Sequence, residues 1–216
     1  TKFMNAMNQI NQSASLLLTS IEKAEEMGVD PNRWVFLHGA SDVTDVWNVS
    51  YRENFYSSPS MKIMGENALN MAGLEINDIR HLDLYSCFPS AVQIARNELG
   101  IPKDDQRHLT VTGGLPFHGG AGNNYVMNSI AAMADKLRSD RGSFGMVTAN
   151  GGYISKHAAG IYSTKPLESD WNRDTSPVIE LTTADIRSPE FTETPTGEAA
   201  IETYSIVFGR SGEPEN

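Results

Sequence analysis

Leu109-Thr-Val-Thr-Gly-Gly-Leu-Pro-Phe-His-Gly-Gly-Ala-Gly-Asn-Asn-Tyr125 is an apolar β-like run that breaks into a glycine-dense loop and then re-enters a helix. Gly113, Gly114, Gly119, Gly120 and Gly122 suit a backbone that takes positive φ angles or lets a ligand approach closely. A dinucleotide or phosphate site would share this strand-loop-helix context. Here Tyr125 occupies the third glycine position of such a fingerprint, and the loop has no Gly-Lys-Ser/Thr. The competing reading is a glycine-rich turn that only joins a strand to a helix.

Outward from this loop the pattern is α/β. Tyr125 to Leu137 predicts a helix with Val126, Ile130, Met133 and Leu137 on one side, and Phe144 to Thr148 predicts a strand. Upstream, His81 to Tyr85 alternates as a strand, and Pro89 to Leu99 reads as a helix stopped by Gly100. Ser58-Pro59 opens another helix, which Gly73 closes. Arg33 to Gly39 reads as a strand. Thr19 and Glu22 form a capping box for a short helix ended by Gly28. The aromatic stretch Asp42 to Ser58 reads as a covering loop whose rings pack. Beyond Tyr162, prolines and polar residues leave two β-like runs, Val178 to Leu181 and Ile201 to Phe208. The expected division is residues 1–165 as one α/β unit and residues 166–216 as a linker plus the start of a small β-rich module.

The 216 residues are 39% hydrophobic, enough for a buried core, and the formal charge of −10 opposes binding to a nucleic-acid backbone. The single cysteine, Cys87, excludes an internal disulfide framework and a cysteine-rich zinc site. A reducing, cytoplasmic setting follows as the expectation, with no membrane segment. The chain begins at Thr1 and ends in a turn-like Gly209-Arg-Ser-Gly212 segment, so it is expected to be a fragment.

Four short segments come in a fixed order: Asn5-Ala-Met-Asn-Gln-Ile-Asn-Gln-Ser-Ala14, Leu82-Asp-Leu-Tyr-Ser-Cys-Phe88, Gly113-Gly-Leu-Pro-Phe-His-Gly-Gly120 and Ala149-Asn-Gly-Gly-Tyr153. In that order they resemble the Asn-Ala-Ser-Gly, Asn/His-Glu-Ala-Phe, Gly-Gly…Gly-His-Pro and Cys-x-Gly-Gly motifs in the C-terminal half of the thiolase superfamily. Tyr85-Ser-Cys-Phe88 is similar to the His-Asp-Cys-Phe of the sterol-carrier-protein thiolase branch. The resemblance covers about Thr1 to Lys165. It implies a layered fold, a mixed sheet with helices on both faces, and a coenzyme A thioester as substrate with no bound cofactor. It also implies an N-terminal half that carries the nucleophilic cysteine, a homodimer and Claisen-type acyl transfer of the acetyl-CoA acetyltransferase kind.

Three departures from the family pattern open alternatives. Gly120 stands where the family has its histidine, Thr148 or Ala149 where it has a second cysteine, and Tyr85 where it has the asparagine or histidine that orders an oxyanion water. Tyr85 also resembles the tyrosine of thiolase-like aldolases, which cleave steroid side-chain thioesters without a cysteine nucleophile and work beside a small acyl-CoA-binding partner. A third alternative is a catalytically degenerate thioester-binding protein. The candidate catalytic residues are Tyr85, His118 and His157, each with a packing or structural role as the competing reading. Cys87, Phe88, Gly114, Gly119, Gly120, Asn123, Asn124, Asn150, Gly151 and Gly152 are the candidate substrate-binding residues. Cys87 can be a thiol activated by the following helix or a small buried hydrophobe. Asn123 and Asn124 are read as helix caps with one side chain free for the pocket, and Asn150 as an αL turn residue with a pocket-facing side chain.

Overall fold

The computed structural model describes residues 4–168, 179–201 and 204–215. Its framework is one five-stranded mixed sheet in the order β2-β3-β4-β1-β5. The strands are β1 (Phe36–Thr44), β2 (Ile79–Asp83), β3 (Phe144–Gly151), β4 (Lys156–Ser163) and β5 (Ile179–Glu180). β2 and β3 run parallel; β4 lies antiparallel to both β3 and β1, as the tight turn after Gly151 dictates.

Side-chain alternation sorts the strands' residues onto two faces. On one face Val43, Leu82, Met146, Ala159 and Ile161 pack under α2 (Pro59–Ala72) and α3 (Pro89–Glu98); on the other Val147 and Tyr162 pack under α4 (Tyr125–Ser139) through Met133 and Leu137. The expected layering, helices on both faces of a mixed sheet, is what the chain adopts. Ser58 caps α2, its hydroxyl accepting the Met61 amide, while Pro59 fills the first turn and Gly73 closes the helix at φ 65°.

Several sequence expectations shift. The cap of α1 (Ile21–Glu26) is Ser20, one residue after Thr19, because the Ser20 hydroxyl is the one within reach of the Lys23 amide. The strand expected at Arg33 to Gly39 starts later and runs to Thr44, where β4 pairs with it throughout. Leu109 to Thr112 forms no strand. Leu109 offers its carbonyl to the Leu84 amide at 2.8 Å, but the next free amides, Val111 and Thr112, turn to the Asp83 carboxylate, and the ladder stops there. Of the covering-loop aromatics, Trp47, Phe55 and Tyr56 stay exposed; Arg52 holds the loop down by donating to the carbonyls of Val46 and Tyr153.

In the C-terminal segment, Ile179 and Glu180 pair in parallel with Val43 and Thr44; Val178 lies outside the described residues. Ile201 to Phe208 holds a single bridge, Phe208 to Pro214, among its described residues. Among the described residues no helix is long and apolar enough to cross a membrane. Ile161, fully buried beneath α2, is expected to lose about 2–5 kcal/mol on substitution by alanine. Urea unfolding will read this as a lower midpoint at unchanged slope.

Candidate active site

The four motif segments converge. The amide of Ala6 donates to the Cys87 carbonyl at 2.9 Å, the amide of Met7 to the Leu115 carbonyl at 3.1 Å, and the amide of Gly120 to the Met7 carbonyl at 2.9 Å. Gln12 donates through its side chain to the His118 carbonyl. The first segment is thereby clamped between the end of β2 and the glycine loop. The Tyr85 amide donates to Thr148 Oγ1 at 3.0 Å, and Asn150 Nδ2 sits 3.9 Å from Cys87 Sγ, which joins the fourth segment to the second.

Asp83 fastens this assembly from below. Its side chain has no solvent exposure. Oδ2 accepts from the Val111 amide at 2.9 Å and from the amide and hydroxyl of Thr112 at 3.3 Å; Oδ1 accepts from Tyr125 Oη at 2.9 Å and Ser129 Oγ at 2.8 Å. One carboxylate therefore fixes β2, the start of the glycine loop and the first turns of α4. Burial, reinforced by the Asp83 charge, pushes the Tyr125 phenol up to about 12. Tyr125 is thus a permanent donor, and its ring carries Tyr85 and His118 edge-on at centroid distances of 5.6 and 5.9 Å.

The glycines serve two separate ends. Gly113, Gly114, Gly119 and Gly122 take φ between 53° and 98°, where other residues strain. Gly120 does not; it is small because a Cβ there would lie 2.7 Å from Leu115 Cδ2. The position that the resemblance assigns to an imidazole is filled by the loop's own packing. Gly152 turns the β3–β4 hairpin at φ 63°, whereas Gly151 and Asn150 belong to β3 itself. The αL role read for Asn150 is therefore not needed, and its side chain lies toward Cys87. Neither Asn123 nor Asn124 caps α4: Asn124 holds the cap position without a side-chain hydrogen bond, and Asn123 is exposed. Phe88 is exposed at the start of α3.

Burial raises the Tyr85 phenol, with Cys87 adding to the effect, so its environment makes it a hydrogen-bond donor and not a base. Burial also raises the Cys87 thiol, against the activation by the helix that its position allows. His157 is 4% exposed and stands on the opposite side of the sheet from α4. Its Nε2 is 3.4 Å from Ser58 Oγ, and Ser58 and Ser60 both donate to Asp45 Oδ2. Burial, only partly opposed by Asp45, lowers its imidazole to about 4. A cavity of about 10 Å³ beside it has room for roughly one water and is lined also by Tyr85, Thr148 and Asn150. Tyr85, Cys87, His118, Asn150 and the loop glycines are brought together, and His157, paired directly with Asn150 across β3 and β4, lies beside it on the same face of the sheet.

Asp83, Ser86 and Tyr125 were not legible as site residues. Ser86 Oγ accepts the Leu115 amide at 3.0 Å beneath the glycine loop. An acidic residue at an inward position of an apolar strand was the available signal for Asp83. Among the described residues no cluster of three or more His, Cys, Asp or Glu could hold a metal ion.

No family model matches the chain, and no curated protein matches it. Among solved structures it is similar to a monomeric SCP2-thiolase-like protein type 1 from Mycobacterium smegmatis, at 42% identity and a TM-score of 0.68 over 73% of this chain. The match covers 35% of the neighbour, so the chain spans about a third of its length. Fold, motif order and this likeness make the chain a thiolase-like α/β protein. Within that class its likeness is to the SCP2-thiolase-like branch. The neighbour is monomeric and lends no support to the expected homodimer.

Two outcomes follow from these environments. Asp83→Ala leaves buried donors from two elements, the start of the glycine loop and α4, without an acceptor, each donor costing about 1–3 kcal/mol, and is expected to destabilise the fold by at least about 3 kcal/mol in urea titrations. His157 has its folded pKa lowered from 6.5 to about 4, so the unfolded chain binds the extra proton between those values. Its contribution to stability is complete above pH 6.5 and is lost as pH falls toward 4. Thermal unfolding across that window is expected to flatten in His157→Gln.

Proposed function

We propose that this chain forms the C-terminal half of a thiolase-like protein that performs carbon–carbon bond chemistry on the acyl part of a coenzyme A thioester. The observation that carries the reading is a concentration of unanswered polar atoms. Six buried side-chain nitrogens or oxygens lack a hydrogen bond among the described residues; three of them, Asn5 Oδ1, His118 Nε2 and Asn150 Oδ1, belong to the converging segments, and Asn124 Nδ2 lies where the glycine loop enters α4. Buried polar groups in folded proteins are normally paired, so the unpaired atoms of Asn5, His118 and Asn124 around the glycine loop mark where a polar ligand belongs. A thioester carbonyl and the amides of a pantetheine arm offer both donors and acceptors.

Of the two reactions open to this site, retro-aldol cleavage fits better than Claisen-type acyl transfer. Acyl transfer calls for an imidazole and a thiol base from this half, and Gly120 and Ala149 supply neither. Cleavage of a β-hydroxyacyl thioester needs a base for the hydroxyl proton and a donor for the enolate. His118, with its free Nε2, takes the proton; the Cα–Cβ bond breaks, its electron pair moves onto the thioester oxygen, and the carbonyl fragment leaves. The Tyr85 hydroxyl, held protonated by burial, donates to that oxygen until His118 returns its proton to Cα as the enolate collapses. An N-terminal half would pack where Leu17 and Leu18 now stand 69% and 82% exposed. A small acyl-CoA-binding protein is a second expected partner.

With the two halves assembled, Tyr85→Phe is expected to lower kcat about 10²–10³-fold while leaving thioester affinity unchanged, as loss of one oxyanion donor does. His118→Ala is expected to abolish turnover with little loss of stability. Undiminished kcat in Tyr85→Phe would overturn the cleavage reading, and an acyl-enzyme trapped in mass spectra would make the protein an acyltransferase.

A further inference from the structure

The 10 Å³ cavity under α2 is lined by Met61, Met64, Ala95 and Leu99 on its apolar side and by Tyr85, Thr148, Asn150 and His157 on the sheet side. Two atoms of its polar wall, Asn150 Oδ1 and His157 Nδ1, are buried without a hydrogen bond. They come from residues paired directly across β3 and β4. We propose that this cavity is a single-water site through which His157 sets the direction of the Asn150 amide, which makes His157 a positioning residue.

Hydrogen-bond polarity fixes how such a water is held. Asp45 Oδ2 accepts from Ser60 at 2.6 Å and from Ser58 at 3.1 Å. With its proton on Asp45, Ser58 presents only lone pairs to the imidazole, so the proton of the ring sits on Nε2 and points at Ser58 Oγ. Nδ1 is then an acceptor, and so is Asn150 Oδ1. A water has two protons, one for each. The volume admits one molecule, and two polar partners are the minimum that retain it.

The consequence lies at Asn150. A carboxamide can turn over, exchanging its oxygen and nitrogen, unless its neighbours distinguish them. A water that only donates on this side keeps Oδ1 toward the cavity and Nδ2 toward Cys87, so the amide presents a donor to the thioester side. The groups facing the imidazole are Asp45, Arg52, Ser58 and the Ile154 carbonyl. The Ile154 carbonyl is the competitor, since it accepts only, and a proton on Nδ1 would turn to it. Calling Asn150 a substrate-facing group rests on the thioester reading; the water site does not.

The test is nitrogen NMR of the full chain with labelled histidine, together with a high-resolution crystal structure. The expected result is His157 in the Nε2–H form from pH 6 to 8, with one ordered water within hydrogen-bond distance of His157 Nδ1 and Asn150 Oδ1. The Nδ1–H form, or a cavity found dry, would overturn the proposal, and neither readout depends on turnover. In His157→Phe the Asn150 side-chain amide signals are expected to split or broaden; a single unchanged pair would show that His157 does not set their direction. Should that variant fail to fold, the tautomer measured on the unaltered chain decides the matter. A confirmed water with no thioester turnover would count against the cleavage reading alone.

Discussion

A single buried carboxylate organises this molecule. Asp83 ends a parallel strand at the point where two amides of the next segment would otherwise continue the sheet, and it accepts them instead. That substitution of a side chain for a neighbouring strand frees the following residues to leave the sheet as a loop. The same carboxylate takes the hydroxyls of Tyr125 and Ser129, so the helix after the loop returns to the place where the loop began. A buried charge is tolerated when its lone pairs are answered, and here two structural elements, the start of the loop and the helix after it, answer them.

The glycine loop gains its shape between this anchor and the N-terminal segment. Below, Ser86 holds the Leu115 amide; above, Met7 bonds both Leu115 and Gly120. Four glycines take the backbone angles this path requires, and Gly120 gives up its side chain to Leu115. The polar groups left over at the surface of this knot are carboxamides, a phenol and an imidazole. These are groups that orient and stabilise a polarised carbonyl. Beneath them, a separate polar cluster around Asp45 braces His157.

The fold was legible because its elements are punctuated conventionally. Pro59 and Gly73 bracket α2, Gly100 follows α3, and apolar residues at helical spacing mark the buried side of α4. The convergence of the four segments was legible from their order. What the sequence concealed depended on contacts between distant residues. Leu109 to Thr112 has a strand's composition, and only the position of Asp83 diverts it. Asn124 has the composition of a cap, yet its side chain makes no hydrogen bond to the helix amides and its Nδ2 is buried without a partner. Tyr85 and Cys87 could titrate in either direction on sequence alone; burial decides both upward. His157 reads as a hairpin histidine near a site; the register pairs it directly with Asn150, and burial against the Asp45, Ser58 and Ser60 cluster, which no local pattern showed, sets its environment.

Four segments distant in sequence meet in one place, which we read as the seat for a thioester. It is tested most directly by amide chemical-shift mapping of the chain with a hydrolysis-resistant acyl-CoA analogue. Saturable shifts confined to residues 5–12, 85–88, 113–124 and 149–152 are the expected result. Saturable shifts that bypass the glycine loop, or binding that leaves Tyr85 and Asn150 unmoved, would contradict it.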